Sequence, residues 1–263
     1  MVSSVSVALM YVSVFLAVAL PIILMIYFWI KTRYDLIAIA FGGLAFYFSQ
    51  VIIKMGILSS IARSDWFMAM TKYPILMGIF LAILAGILAE LIRILIFIFL
   101  IKKDDRNWKN GLALGLGYGG TESIMMVGMA FISFIGYSIA INNGFFDTQI
   151  GIRFSPEEAL RIKADLLKPS YIYLLGGLER AAYLVIHTAL SILIVAGVAE
   201  GKPVYFGYAI LAHVAINVPL ILLGQLHRMV AIVWLFAVAV YAYKFIIKAK
   251  KEWFKEPEGP VPL

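Results

Sequence analysis

The chain has 263 residues, 63% of them hydrophobic and 14% charged, and a mean hydropathy of +0.97. Soluble domains hold roughly 45 to 50% apolar residues, so a soluble globular protein is excluded and an integral membrane protein is indicated. The formal net charge of +7 reads, in so apolar a chain, as lysines and arginines that set membrane topology, and no nucleic-acid partner is expected. Cysteine is absent, which excludes disulfides, thiolate metal ligands and a cysteine nucleophile.

Seven apolar runs are long enough to cross a bilayer, at about 5 to 30, 35 to 58, 74 to 101, 111 to 140, 170 to 198, 204 to 223 and 228 to 247. They predict an all-α, multi-pass bundle of seven transmembrane helices, in residues 1–250, followed by a tail at 251–263. The first run is too long for the hydrophobic region of a cleaved signal peptide and is read as a retained helix. Lys31, Arg33, Lys102, Lys103, Arg106, Lys109, Lys202, Lys244, Lys248, Lys250, Lys251 and Lys255 fall on one side of the membrane, twelve against seven on the other. The side richer in lysine and arginine is cytoplasmic by the positive-inside rule, which puts the amino terminus outside and the carboxyl terminus inside a cell membrane.

The connections are short except for 142–169, where Ser155-Pro156-Glu157-Glu158 predicts an N-cap, a proline at the first helical position and a capping-box glutamate. In the helix that follows, Ala159, Leu160, Leu166 and Leu167 alternate with Arg161, Lys163 and Asp165, the pattern of a helix lying at the membrane surface. The stretch 256–263, rich in proline and glutamate, reads as a disordered end. No internal repeat is found, which counts against the inverted-repeat architecture of many transporters.

Ionisable groups inside the spans cost at least roughly 2.5 to 3.5 kcal/mol each to insert, so they face the protein interior and find partners. The third run carries Glu90 and Arg93 at i and i+3, close enough to pair on one face. The fourth has Gly115, Gly117, Gly119 and Gly120 before Glu122, small residues that let helices approach closely. The fifth sets Arg180 and His187 on one face, with Glu179 beside them and Ser191 a turn beyond, and the sixth sets His213 and Asn217 at i and i+4. Counted from the cytoplasmic ends at about 1.5 Å per residue, Glu90, Glu122 and His187 lie at roughly 17 Å and His213 at roughly 13 Å, one layer. Glu179 and Arg180 stand nearer the outer leaflet. His227 falls in a short loop and is given no catalytic role.

A layer of carboxylates and imidazoles suits activation of water by a glutamate base or a metal, and it equally suits proton relay in a transporter. Since the chain lacks cysteine, a zinc ion would have to use His187, His213 and a carboxylate. The layer predicts a polar cavity between spans 3 to 6.

Ala-Glu-x-x-Arg at 89–93, Gly-Tyr-Gly-Gly-Thr-Glu at 117–122, Leu-Glu-Arg at 178–180 with His187 and Ser191, and His-x-x-x-Asn at 213–217 resemble the YhfC family. That family is grouped with the intramembrane peptidases of the CAAX protease and bacteriocin-processing superfamily, relatives of PrsW and of the anterior-pharynx-defective subunit of γ-secretase. The resemblance implies an intramembrane endopeptidase acting on a membrane-associated protein or peptide. Glu90 and Arg93 match its glutamate-arginine motif, and His187, His213 and Asn217 match its histidines and asparagine, which steady an oxyanion while a glutamate activates water. Two positions depart from the pattern: Ala89 stands where a first glutamate is usual, and Tyr118 replaces the histidine of Gly-His-Gly-Gly. Glu90 or Glu122 is then the base, supported by Arg93, Tyr118, Glu179, Arg180 and Ser191. A non-catalytic membrane scaffold of the same fold is the alternative reading, and a proton-coupled transporter the third.

Overall fold

The computed structural model describes residues 1–254. The stretch 256–263, expected to be disordered, lies outside the described residues. Within them the elements are helical, without a β-strand. Seven helices are long and apolar enough to cross a membrane: span 1 Ser4–Thr32, span 2 Leu36–Ile61, span 3 Pro74–Leu100, span 4 Trp108–Asn142, span 5 Tyr171–Ala199, span 6 Val204–Leu226 and span 7 Arg228–Glu252. Each matches an expected run to within a few residues. The protein is a multi-pass membrane protein.

Short polar signals set the helix ends. Ser3 caps span 1 by accepting from the Ser6 N–H at 3.0 Å, and the chain leaves that helix through Arg33 in a left-handed conformation with φ 52°. Asp35 then caps span 2 by accepting from Ile37 N–H at 2.9 Å, and Asn107 caps span 4 by accepting from Asn110 N–H at 3.1 Å. Such caps satisfy backbone donors that the helix leaves unpaired. The connecting helix Pro156–Leu166 forms with its capping box complete: Ser155 Oγ accepts from Glu158 N–H, and Glu158 Oε2 accepts from Ser155 N–H. Leu166 is buried beneath it, whereas Leu160 and Leu167 remain exposed, as a helix lying on the surface of the bundle requires.

Span 5 is the axis. It buries 78% of its most apolar window inside the protein, against 33% or less in every other span. Span 4 lies between it and span 2, and the glycines of span 4 explain how closely it lies. A Cβ at Gly115 would fall on the backbone of Thr188 in span 5, and one at Gly117 on the backbone of Ile39 in span 2. Without a hydrophobic force between helices in lipid, such close backbone approach is what makes the packing favourable. Two wide π-helical turns interrupt the spans beside this contact, Tyr47–Ile53 in span 2 and Ile124–Gly128 in span 4. The many exposed leucines, isoleucines and aromatics of the outer faces are the lipid-facing surface of such a bundle.

Candidate active site

The polar layer expected from residue counting is a network of direct contacts drawn from spans 3, 4, 5 and 6. Glu90 and Arg93 of span 3 are fully buried and ion-paired, the Arg93 Nη1–H donating to Glu90 Oε1. The same guanidinium places Nη2 2.8 Å from His187 Nδ1 on span 5 and lies 3.8 Å over the ring of Tyr118 on span 4. Span 6 closes on Glu90 from the other side, with His213 Nδ1 2.5 Å from Glu90 Oε1. Among the described residues Glu90 Oε2 has no hydrogen-bond partner.

These contacts fix the imidazole tautomers. A guanidinium only donates, so His187 Nδ1 accepts and the ring proton of a neutral His187 sits on Nε2. A carboxylate only accepts, so His213 Nδ1 carries its proton toward Glu90. His187 Nε2 points at the second carboxylate: it lies 2.5 Å from Glu122 Oε2, without hydrogen-bond alignment. Glu122 Oε1 accepts from Arg180 Nη1 at 2.9 Å. The two histidine rings are 5.5 Å apart between centroids. The two glutamates are sealed unequally, with 18% of the Glu122 side chain exposed and none of Glu90.

The other expected residues divide. Tyr118, standing where the family pattern has histidine, belongs to the network through its ring and through its hydroxyl 3.3 Å from Ser49 Oγ. Asn217 is tied in through Tyr183, whose hydroxyl donates to Asn217 Oδ1 at 2.7 Å, leaving the Asn217 amide N–H groups as donors. Glu179 lies outside it, paired with Arg228 Nη2 at 2.7 Å at the far end of span 5. Ser191 is sealed in the core, with no hydrogen bond for its Oγ among the described residues. His227 caps span 7 by accepting from Met229 N–H at 3.1 Å.

Three contributors have no place among the expected site residues. Tyr183 stacks on His187 with centroids 5.7 Å apart and carries the Arg180 guanidinium 4.6 Å over its ring. Gln50 Nε2 lies 3.3 Å from Tyr118 Oη and donates to Ala85 O at 3.1 Å, and Lys54 Nζ donates to Gln50 Oε1 at 3.1 Å. The available signal for the last two was a glutamine and a lysine at i and i+4 inside an apolar run, which puts both on one face.

Comparison with known proteins bears on the chain as a whole. The profile of the family described as "YhfC intramembrane metalloprotease" matches residues 16–246. The chain belongs to that family. It is 32% identical over 259 residues to the "Uncharacterized membrane protein YhfC" of Bacillus subtilis (strain 168), covering 95% of this chain and 99% of that one. No solved structure matches.

The family's description implies a metal, for which His187, His213 and a carboxylate were the expected ligands. Among the described residues no three histidine, aspartate or glutamate side chains gather as a metal-binding group. The reason is Arg93. Its guanidinium already occupies Glu90 Oε1 and His187 Nδ1, so a dication there would face a fixed positive charge and two engaged lone pairs. As packed, the residues do not fit a metal.

Proposed function

We propose that this membrane protein, with its amino terminus outside and its carboxyl terminus in the cytoplasm of a cell membrane, is an endopeptidase that hydrolyses a peptide bond of a membrane-associated protein or peptide, with Glu122 as general base. The observation that carries this reading is the unequal access to the two carboxylates. Glu122 is 18% exposed and Glu90 is not exposed at all, which favours Glu122, whose Oε2 lies 2.5 Å from His187 Nε2, as the carboxylate that meets water. Glu122 takes a proton from water as the hydroxide oxygen adds to the scissile carbonyl carbon. The developing oxyanion is met by N–H donors, for which His187 Nε2–H and the Asn217 amide are available. The carbon–nitrogen bond then breaks, and the proton held by Glu122 passes to the leaving amine. Glu90 and Arg93 are positioning residues, holding His213 and His187.

A second reading, the non-catalytic scaffold, draws on the mutual pairing of the same charges, since Glu90 with Arg93 and Glu122 with Arg180 already neutralise one another. Cleavage decides between them. The full-length protein in liposomes is given a panel of membrane-anchored and prenylated peptides, beside Glu122→Gln. The expected result is cleavage of at least one substrate by the parent and a fall of roughly 10² to 10⁴-fold in the variant. Parent protein inert on every substrate, or a glutamine variant as active as the parent, sinks the proposal.

A further inference from the structure

Arg180, Tyr183 and His187 stand on one face of span 5, at i, i+3 and i+7. The middle residue touches both of the others. Its ring carries the guanidinium of Arg180, the cation that binds Glu122, at 4.6 Å, and it stacks on the His187 imidazole at an interplanar angle of 23°. Its hydroxyl crosses to span 6 and donates to Asn217 Oδ1 at 2.7 Å. Span 6 has a backbone reason to need that contact. Pro219 lies inside the helix and has no N–H, so the carbonyl of Ala215 receives no helical bond from it, and the turn that carries Asn217 is held less firmly by its own backbone. Two side chains from other spans brace this turn. Tyr183 does so at Asn217, and Trp234 of span 7 does so through its Nε1–H, which donates to Ile216 O at 3.1 Å.

We propose that Tyr183 is a positioning residue that aims the Asn217 amide and the His187 imidazole at one point, where the oxyanion of the attacked carbonyl forms. The inference rests on the peptidase reading above. A hydroxyl that donates to the Asn217 side chain meets its oxygen, because the amide nitrogen only donates. The bond therefore turns the Asn217 N–H groups away from Tyr183. The ring acts in the same way on His187, lying along one face of the imidazole and so setting the plane in which its Nε2–H points. Both donors thus take their orientation from one buried side chain. Donors fixed before the charge develops need no reorganisation when it does, the condition under which they lower the barrier most. The hydroxyl of Tyr183 then acts in the transition state and not in the binding of substrate.

The test uses the full-length protein in liposomes with a peptide that the parent cleaves, and turnover is taken per folded molecule. Tyr183→Phe keeps the ring against Arg180 and His187 and removes only the hydroxyl, so kcat should fall about tenfold with KM unchanged. Asn217→Ala should lower kcat roughly 10² to 10³-fold, the loss of a whole donor. Adding Tyr183→Phe to it should lower kcat no further, because the hydroxyl then has nothing to orient. Tyr183→Leu, which removes the ring as well, should cost more than the phenylalanine variant and should still lower kcat in the Asn217→Ala background. A second readout needs no substrate. In protein carrying isotopically labelled asparagine, the NMR signal of the Asn217 side-chain amide, assigned by its loss in Asn217→Ala, should shift and exchange with solvent faster in Tyr183→Phe. A parent inert on every peptide counts against the peptidase reading, whereas an Asn217 amide unchanged by Tyr183→Phe overturns the inference whatever the activity. So would a phenylalanine variant as active as the parent, a change in KM alone, or losses that add in the double variant.

Discussion

Arg93 Nη2 lies 2.8 Å from His187 Nδ1, joining span 3 to span 5 through a guanidinium that is also bonded to Glu90. One planar cation thus sets the orientation of an imidazole on another helix. Arg93→Lys keeps the charge but not the fork, because an ammonium is a point donor that cannot hold Glu90 and His187 in the same plane. The expected loss is about 1 to 3 kcal/mol of stability, that of leaving a buried polar partner unsatisfied. Thermal melting in detergent reads the loss, and nitrogen NMR of the imidazoles should show the His187 tautomer no longer fixed. A lysine variant as stable as the parent, with the same His187 spectrum, would leave Arg93 no orienting role.

Seven spans were legible because bilayer thickness demands long apolar runs, and the helix start at Ser155 was legible because a capping box is local, whereas the caps at Ser3, Asp35 and Asn107 were not named from the sequence. The single layer holding Glu90, Glu122, His187 and His213 followed from helical rise alone. Which side chain pairs with which did not follow. Glu179 and Arg180 are neighbours in sequence, yet a helix turns them about 100° apart, so Arg180 reaches Glu122 while Glu179 reaches Arg228. The glycines of span 4 announced close packing, but only the fold says that Gly115 meets span 5 and Gly117 meets span 2. Gln50 and Lys54 went unseen because one polar face inside a long apolar run hardly changes its hydropathy.

The competition between Arg93 and a dication makes metal content a measurement of the packing. Full-length protein purified without chelator is expected to hold zinc well below one equivalent by elemental analysis, since carboxylate and imidazole lone pairs are engaged by the guanidinium. Stoichiometric zinc that disappears in His187→Ala and in His213→Ala would show that the network rearranges around a metal.

The connecting helix Pro156–Leu166 should respond to acid. Hydrogen bonds from the Ser155 backbone N–H and hydroxyl to the Glu158 carboxylate hold its pKa below the ordinary value of 4.5. A carboxyl depressed in the folded state contributes stability that is present above its unfolded pKa and is lost as pH falls through the folded one. Hydrogen exchange of the amides of 156–166 should therefore quicken as pH falls below about 4.5, after correction for the intrinsic rate. Glu158→Ala should exchange fast at every pH. Protection in the parent that holds unchanged through pH 3 would remove the capping box as the cause.

The two glutamates should fail in different ways when each is made glutamine. Glu90 is fully buried and bonded to Arg93 and His213, so Glu90→Gln leaves a buried guanidinium without its counter-charge. Removing one partner of such a pair costs about 3 to 5 kcal/mol, enough to lower the melting midpoint sharply and the yield of folded protein with it. Glu122 is less completely sealed than Glu90, and on the proposed reading water reaches it and can replace some of what its charge gives Arg180. Its glutamine variant should melt close to the parent and yet lose roughly 10² to 10⁴-fold in turnover, because the amide cannot accept the proton. The comparison needs turnover per folded molecule, with the folded fraction taken from the melting curves, so that a loss of protein is not read as a loss of chemistry. A Glu90→Gln protein that melts like the parent but is inert, beside an active Glu122→Gln, would exchange the two roles and make the sealed carboxylate, with its unpartnered Oε2, the base.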